Sequence, residues 1–276
     1  MTLQLVTPQS ISQPAQLKIS YSQLSLYLIC PMKYGHTYVW ATKPETKPVN
    51  MILGRAVHRA AELFYKRFQQ TGEILSVEEL ISKYETEYDQ DIQQSDVRIG
   101  LKKDETIDSV KETGVGLVRL FHSEIKPQKI IAVELPFAIP VPDIHSNENL
   151  PVLLVGYFDL VESDSDGTYL ISELKTSAQK YSSLKLQYDL QPTVYSYAMS
   201  RMKLATSQNS CLVRYDCLVK NKTPVFEHYF VARTRADFDR LIHLINYILT
   251  AIEHRLFYRN MGWQCQDCQF KKTCLG

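Results

Sequence analysis

The sequence predicts an α/β fold in which a central mixed sheet is flanked by helices, with a helical insertion before the sheet and a cysteine cluster at the C-terminal end. Three observations predict it. From residue 53 onward the periodicities run helix, three strands, helix, two strands, helix, the order of a sheet with crossovers. A chain of 276 residues, 45% hydrophobic and 22% charged, has the balance of an ordinary globule and enough apolar surface for a sizeable core. Three of the six cysteines, Cys265, Cys268 and Cys274, crowd into the tail. The formal net charge of +1 means that any phosphate-binding surface is a local patch and not a whole-protein field. No apolar run approaches the roughly 18 to 20 residues of a membrane span, and the start lacks a signal-peptide pattern, so the expected location is cytoplasmic.

Residues 1–18 are polar, contain Pro8 and Pro14, and read as a flexible arm before a single domain over 19–276. Ser20 and Gln23 fit a capping box, with Leu24, Tyr27 and Leu28 following at helical spacing until Cys30-Pro31 stops the helix. An amphipathic helix is expected over 53–68, with Leu53, Val57, Ala60, Ala61, Phe64 and Phe68 facing inward and His58 beside that stripe. Residues 70–126 form the helical insertion: Ser76 and Glu79 box the start of one helix, and 106–125 reads as another. Its Lys and Arg residues read as a solvated face, with guidance of DNA as the alternative.

The period then changes. Residues 130–141 are strand-like, and Glu134 there is read as structural, with a place at a cation site as the alternative. Residues 152–161 and 168–175 form a hairpin, joined by Ser163-Asp164-Ser165-Asp166-Gly167. A helix is expected over 185–202, with Pro192 marking a first turn or a kink. Strands at 211–220 and 225–231 and a helix over 234–258 follow; Cys211 and Cys217 share one face of their strand and read as packing residues. Residues 259–276 form a cysteine-bearing tail.

Chemistry concentrates in the hairpin. Asp159 interrupts an apolar strand, and Glu173 and Lys175, two apart, project from one face of the next. Two carboxylates supply oxygen ligands for a hard divalent cation, and a lysine beside them orients water or steadies negative charge, which suits metal-assisted hydrolysis. The plain alternative is an E-x-K pair on a solvated face. Gly156-x-x-Asp159, thirteen residues, then Glu173-x-Lys175 resembles the active-site signature of the PD-(D/E)XK nuclease superfamily. Gly54-x-x-x-His58 resembles the motif by which the RecB-type branch adds a histidine to the metal site, and Gln191-x-x-x-Tyr195 resembles that branch's motif for contacting DNA.

Cys265-x₂-Cys268-x₅-Cys274 is too dense for disulfides in a reducing compartment and favours a metal or cluster. The stretch SYSQLSLYLICPMKY resembles the N-terminal segment of RecB-type nucleases, which implies Cys30 as fourth ligand of a [4Fe-4S] cluster; a structural Zn²⁺ site is the alternative the same thiolates satisfy. The chain is thus similar to CRISPR-associated RecB-type exonucleases and to the nuclease domain of AddB. The resemblance implies a restriction-endonuclease-like core and a Mg²⁺- or Mn²⁺-dependent DNA exonuclease acting on single strands or ends. Asp159, Glu173 and His58 would hold the cation, Lys175 would assist the attacking water, and Gln191 and Tyr195 would position substrate. DNA repair, recombination or CRISPR adaptation would be its setting, with a helicase or CRISPR adaptation proteins as partners. The competing class is a DNA-binding or assembly subunit that keeps the fold without cutting.

Overall fold

The computed structural model describes residues 17–146, 148–163, 168–204 and 211–276. The chain opens with β1 (Leu17–Ser20), α1 (Tyr21–Ile29) and the short α2 (Pro31–Tyr34), then β2 (Thr46–Pro48) leads into the long α3 (Val49–Thr71). Next come α4 (Val77–Gln93), β3 (Arg98–Gly100) and α5 (Ile107–Glu124). Strands β4 (Lys129–Pro142), β5 (Asn149–Ser163) and β6 (Tyr169–Ser177) follow, then α6 (Ser183–Tyr188), α7 (Leu190–Arg201), β7 (Cys211–Val219), β8 (Val225–Val231), α8 (Arg235–Glu253) and α9 (Lys271–Leu275).

The capping boxes read from sequence, Ser20 with Gln23 and Ser76 with Glu79, are present, and Thr234 with Asp237 boxes the start of α8. Thr106 caps α5 in the same way, with Ser109 closing the box. Two expectations are corrected. The segment 185–202 is not one helix, because Asp189 adopts an extended conformation and its carboxylate accepts from the Gln191 N–H, starting α7 anew. Pro192 therefore lies in the first turn, where its missing N–H costs nothing. Leu17 and Lys18, read as part of the arm, belong to β1, which pairs in parallel with Val152 to Val155 of β5. The hairpin link of residues 164–167 lies outside the described residues.

The main sheet has six strands, ordered β1-β5-β6-β7-β8, with β4 antiparallel along the other edge of β5. Strands β6 and β7 run parallel, so α6 and α7 supply the crossover. One detail positions everything that follows. The ladder of β5 with β1 ends at Val155, and the ladder of the same edge with β6 begins at Leu160. The sheet is split there, over residues 156–159.

Two apolar clusters sandwich the sheet. One joins α1, α7 and α8 through Leu24, Val194, Leu241 and Ile245. The other joins α3, α4 and α5 through Phe64, Tyr84, Tyr88 and Leu117, so the insertion packs as a helical layer on α3. Phe158 and Val161 sit in the first cluster but Leu160 in the second, so the inside-outside alternation of β5 slips around Asp159. Across from it, Glu134 has φ 53°, and the ladder passes from Val133–Leu160 to Leu135–Phe158 over that pair.

Candidate active site

The slip in β5 and the split in the sheet leave Asp159 beside the β6 residues Glu173 and Lys175. Glu173 is the best-held side chain of the three. Its Oε1 accepts from Lys175 Nζ at 2.6 Å and Gln191 Nε2 at 2.8 Å, and its Oε2 accepts from the Tyr195 hydroxyl at 2.8 Å. Gln191 Nε2 also donates to Tyr195 Oη at 2.9 Å, which closes the bracket. Burial pushes the Glu173 carboxyl up, but the Lys175 ammonium and these hydrogen bonds outweigh it and hold it below the usual carboxylate range. Burial works against the charge on Lys175 too, and Glu173 and Asp159 reverse that, so its pKa is raised and it stays an ammonium.

Asp159 is the opposite case. Its Oδ2 is buried and has no hydrogen-bond partner among the described residues. Burial, then the Glu173 charge, push its carboxyl well above the usual range. Glu162 and Asp216, the other buried carboxylates of this sheet, are both answered by Arg214, at 3.0 Å and 2.8 Å. Asp159 is not answered in this way.

His58 explains what it faces. From α3, its Nε2 lies 2.7 Å from the Leu174 carbonyl, which can only accept, so Nε2 carries the hydrogen. Burial lowers the pKa of the ring, against the pull of Glu173, which keeps it neutral and leaves Nδ1 with a lone pair. That lone pair looks at Asp159 Oδ2 from 3.5 Å. Two acceptors facing each other require something positive between them, a shared proton or a cation. Glu173 completes the set: the three residues each offer a ligand atom, all within 4.8 Å of one another. The side chains of His58 and Asp159 are 32% and 21% exposed, so the site lies close to the surface although Asp159 Oδ2 itself is buried. A nitrogen and two carboxylates on an orphaned acceptor fit a small divalent cation such as Mg²⁺ or Mn²⁺.

Glu134 and Glu62 line the same small recess as His58 and Asp159. Burial and the neighbouring Glu62 raise the Glu134 carboxyl, while Glu62 itself is paired with Arg59 and Lys66. Glu62 was not singled out from sequence; it lies one turn after His58 on α3, and that i, i+4 spacing was the available signal. Gln191 and Tyr195 meet the site through Glu173, and they also line an open groove of about 490 Å³ beside it.

The four cysteines gather around a separate recess. Cys30 sits between α1 and α2, and Cys265, Cys268 and Cys274 come from the tail; all four line it with His36 and Phe270. Backbone stitching brings the ends together: Met32 N–H donates to the Tyr258 carbonyl at 3.0 Å, and Glu45 N–H to that of Gln269 at 2.8 Å. Four thiols converging from both ends fit a thiolate-held group. Cys211 and Cys217 are buried in β7, where burial raises each thiol to about 12, and they take no part in this recess.

A family model described as the PD-(D/E)XK nuclease superfamily matches residues 18–275. Among solved structures, the chain resembles a protein of Eubacterium rectale described as a "Putative exonuclease", with TM-score 0.53 and 12% identity over 97% of this chain and 93% of that one. At that identity the likeness is one of fold. A second structure, SSO0001, aligns at TM-score 0.38 and 11% identity over 92% of each chain, a similarity on which nothing here rests. No curated protein sequence matches the chain.

Proposed function

The chain belongs to the PD-(D/E)XK nuclease superfamily, and on that premise we propose that it is a Mg²⁺- or Mn²⁺-dependent DNA exonuclease of the RecB type. The observation that carries the reading is the meeting of the His58 lone pair, the unpartnered Asp159 oxygen and the bracketed Glu173 beside a lysine held as an ammonium. When bound, the cation supplies charge neutralisation at the scissile phosphate and acidifies water. The rest is done by the chain. Tyr195 and Gln191 fix the orientation of Glu173, so its free lone pairs keep one direction. Leu174 fixes the tautomer of His58 through its carbonyl. Lys175, being protonated, donates: it orients the attacking water and meets charge developing on phosphate oxygen, and it is not the base. The groove shared by Gln191 and Tyr195 leads substrate to Glu173.

The resemblance of Gly54-x-x-x-His58 and Gln191-x-x-x-Tyr195 to RecB-type motifs supports exonuclease over endonuclease action. The test is a comparison of linear and closed circular single-stranded DNA of one sequence: loss of the linear form alone supports the reading, and equal rates overturn it.

For the four cysteines the reading is a [4Fe-4S] cluster held by Cys30, Cys265, Cys268 and Cys274. The same four thiolates could hold a single zinc, so the cluster reading rests on the RecB-type resemblance. Iron with acid-labile sulfide supports the cluster, and zinc without sulfide replaces it. A role in DNA repair, recombination or CRISPR adaptation, with a helicase or adaptation proteins as partners, is the setting this reading suggests. No described helix is long and apolar enough to cross a membrane.

A further inference from the structure

Beside the cation site the split sheet opens a groove, and we infer that it is a track for an unpaired DNA strand in which Tyr157 is the platform for a base. The inference rests on the nuclease reading and names the form of substrate the site takes. Between the end of the β1 ladder at Val155 and the start of the β6 ladder at Leu160, no strand among the described residues lies against this edge of β5. The groove over that gap measures about 490 Å³, within the range of sites that enclose a nucleotide-sized ligand. Gln191 and Tyr195, which hold Glu173, form one wall, so the groove is continuous with the chemistry.

Its chemistry selects an unpaired strand. Tyr157 is 58% exposed on a β-strand two residues before Asp159, a rigid mount for a large ring that buries little of itself in the protein. The spacing of two residues along a strand is roughly 6.6 Å, about the reach of one nucleotide step from the cation site. The floor is Phe137, which lies across Gly156; a Cβ at 156 would stand 2.5 Å from its ring, so the glycine lets that ring sit under the groove. Lys18 at the mouth lies in no ion pair among the described residues. Among the described residues lining the groove Lys18 is the single cation, and one exposed ring with one cation suits single-strand binding better than the run of phosphate contacts that holds a duplex.

Binding of a short fluorescein-labelled oligodeoxythymidine, read by anisotropy in EDTA so that nothing is cut, tests this. Tyr157→Ala should weaken it about ten-fold or more, Tyr157→Phe should bind as wild type, and Lys18→Ala should weaken it and flatten its salt dependence by about 0.7 in slope. Tyr247→Ala, at an equally exposed tyrosine on α8, should change nothing. Unchanged binding by Tyr157→Ala, or equal losses for the single strand and a blunt duplex, overturns the inference. A chain that binds through Tyr157 but cuts nothing with Mg²⁺ or Mn²⁺ keeps the track and loses the nuclease reading; one that cuts, with Tyr157→Ala binding as wild type, keeps the nuclease reading and loses the track.

Discussion

Tyr195 donates its hydroxyl hydrogen to Glu173 Oε2 across 2.8 Å, from a helix to a strand, and this bond decides which way the carboxylate presents its remaining lone pairs. Tyr195→Phe removes the donor from a carboxylate whose side chain is 5% exposed. Oε1 keeps its bonds from Lys175 and Gln191, but Oε2 is no longer fixed and the pKa rises, since a bond that favours the charged form is lost. The Mg²⁺ concentration for half-maximal cleavage should rise about 10- to 100-fold, with saturated activity partly recovered. A metal titration that superimposes on wild type removes the positioning role.

Asp159 makes the metal-free protein pH-sensitive in a direction unusual for a carboxylate. Burial and Glu173 raise its folded pKa, so above the ordinary Asp value of about 3.9 the folded state keeps a proton that the unfolded chain has lost. The folded state binds more protons, and this contribution to stability shrinks as pH rises from about 4 toward the raised value. Asp159→Asn has no such proton to lose. At neutral pH and without metal it should therefore melt above wild type, while Mg²⁺ should raise the Tm of wild type only. Thermal scans in EDTA across that window check the sign, and a lower neutral-pH Tm for Asp159→Asn would contradict it.

That Asp159, Glu173 and Lys175 would be neighbours was legible because they lie within one short hairpin; the slip in β5 around Asp159 was not, since no local pattern marks it. His58 was legible through Gly54-x-x-x-His58. The tautomer of His58 was not, because it is set by the Leu174 carbonyl, and every residue has one. Gln191 and Tyr195 were read as substrate contacts; their bonds to Glu173 depend on how α7 lies over β6, which no local pattern encodes. Strand β1 was missed since four residues carry too little alternation, and only β5 makes them a strand. The break at Asp189 hid because 185–202 keeps apolar residues at helical spacing on both sides of it.

Gly156 is constrained by packing, not by a turn. Gly156→Ala sets a Cβ 2.5 Å from the Phe137 ring, which packs on Phe158 at a centroid distance of 4.8 Å and cannot withdraw freely. The cost should be about 1 to 3 kcal/mol, typical of overpacking. Urea unfolding gives the number, and a neutral result would mean that the groove floor yields.

The cysteines should separate into two classes. Cys30→Ser, Cys265→Ser, Cys268→Ser and Cys274→Ser should each lower bound iron and thermal stability, because the recess they line joins the two ends of the chain. Cys217→Ser should leave metal content unchanged and lose stability only through a buried hydroxyl. Metal analysis with sulfide determination distinguishes them, and iron retained in all four variants would remove the clamp.

The most direct test follows release of nucleotides from linear single-stranded DNA by wild type, Asp159→Ala and Lys175→Ala, with Mg²⁺, with Mn²⁺ and with EDTA. Wild type should cut with either cation and not in EDTA. Both variants should be folded and inactive, since one removes the unpartnered ligand oxygen and the other the ammonium beside Glu173. Cleavage by wild type in EDTA, or variants as active as wild type, would show that the meeting of His58, Asp159, Glu173 and Lys175 is not where DNA is cut.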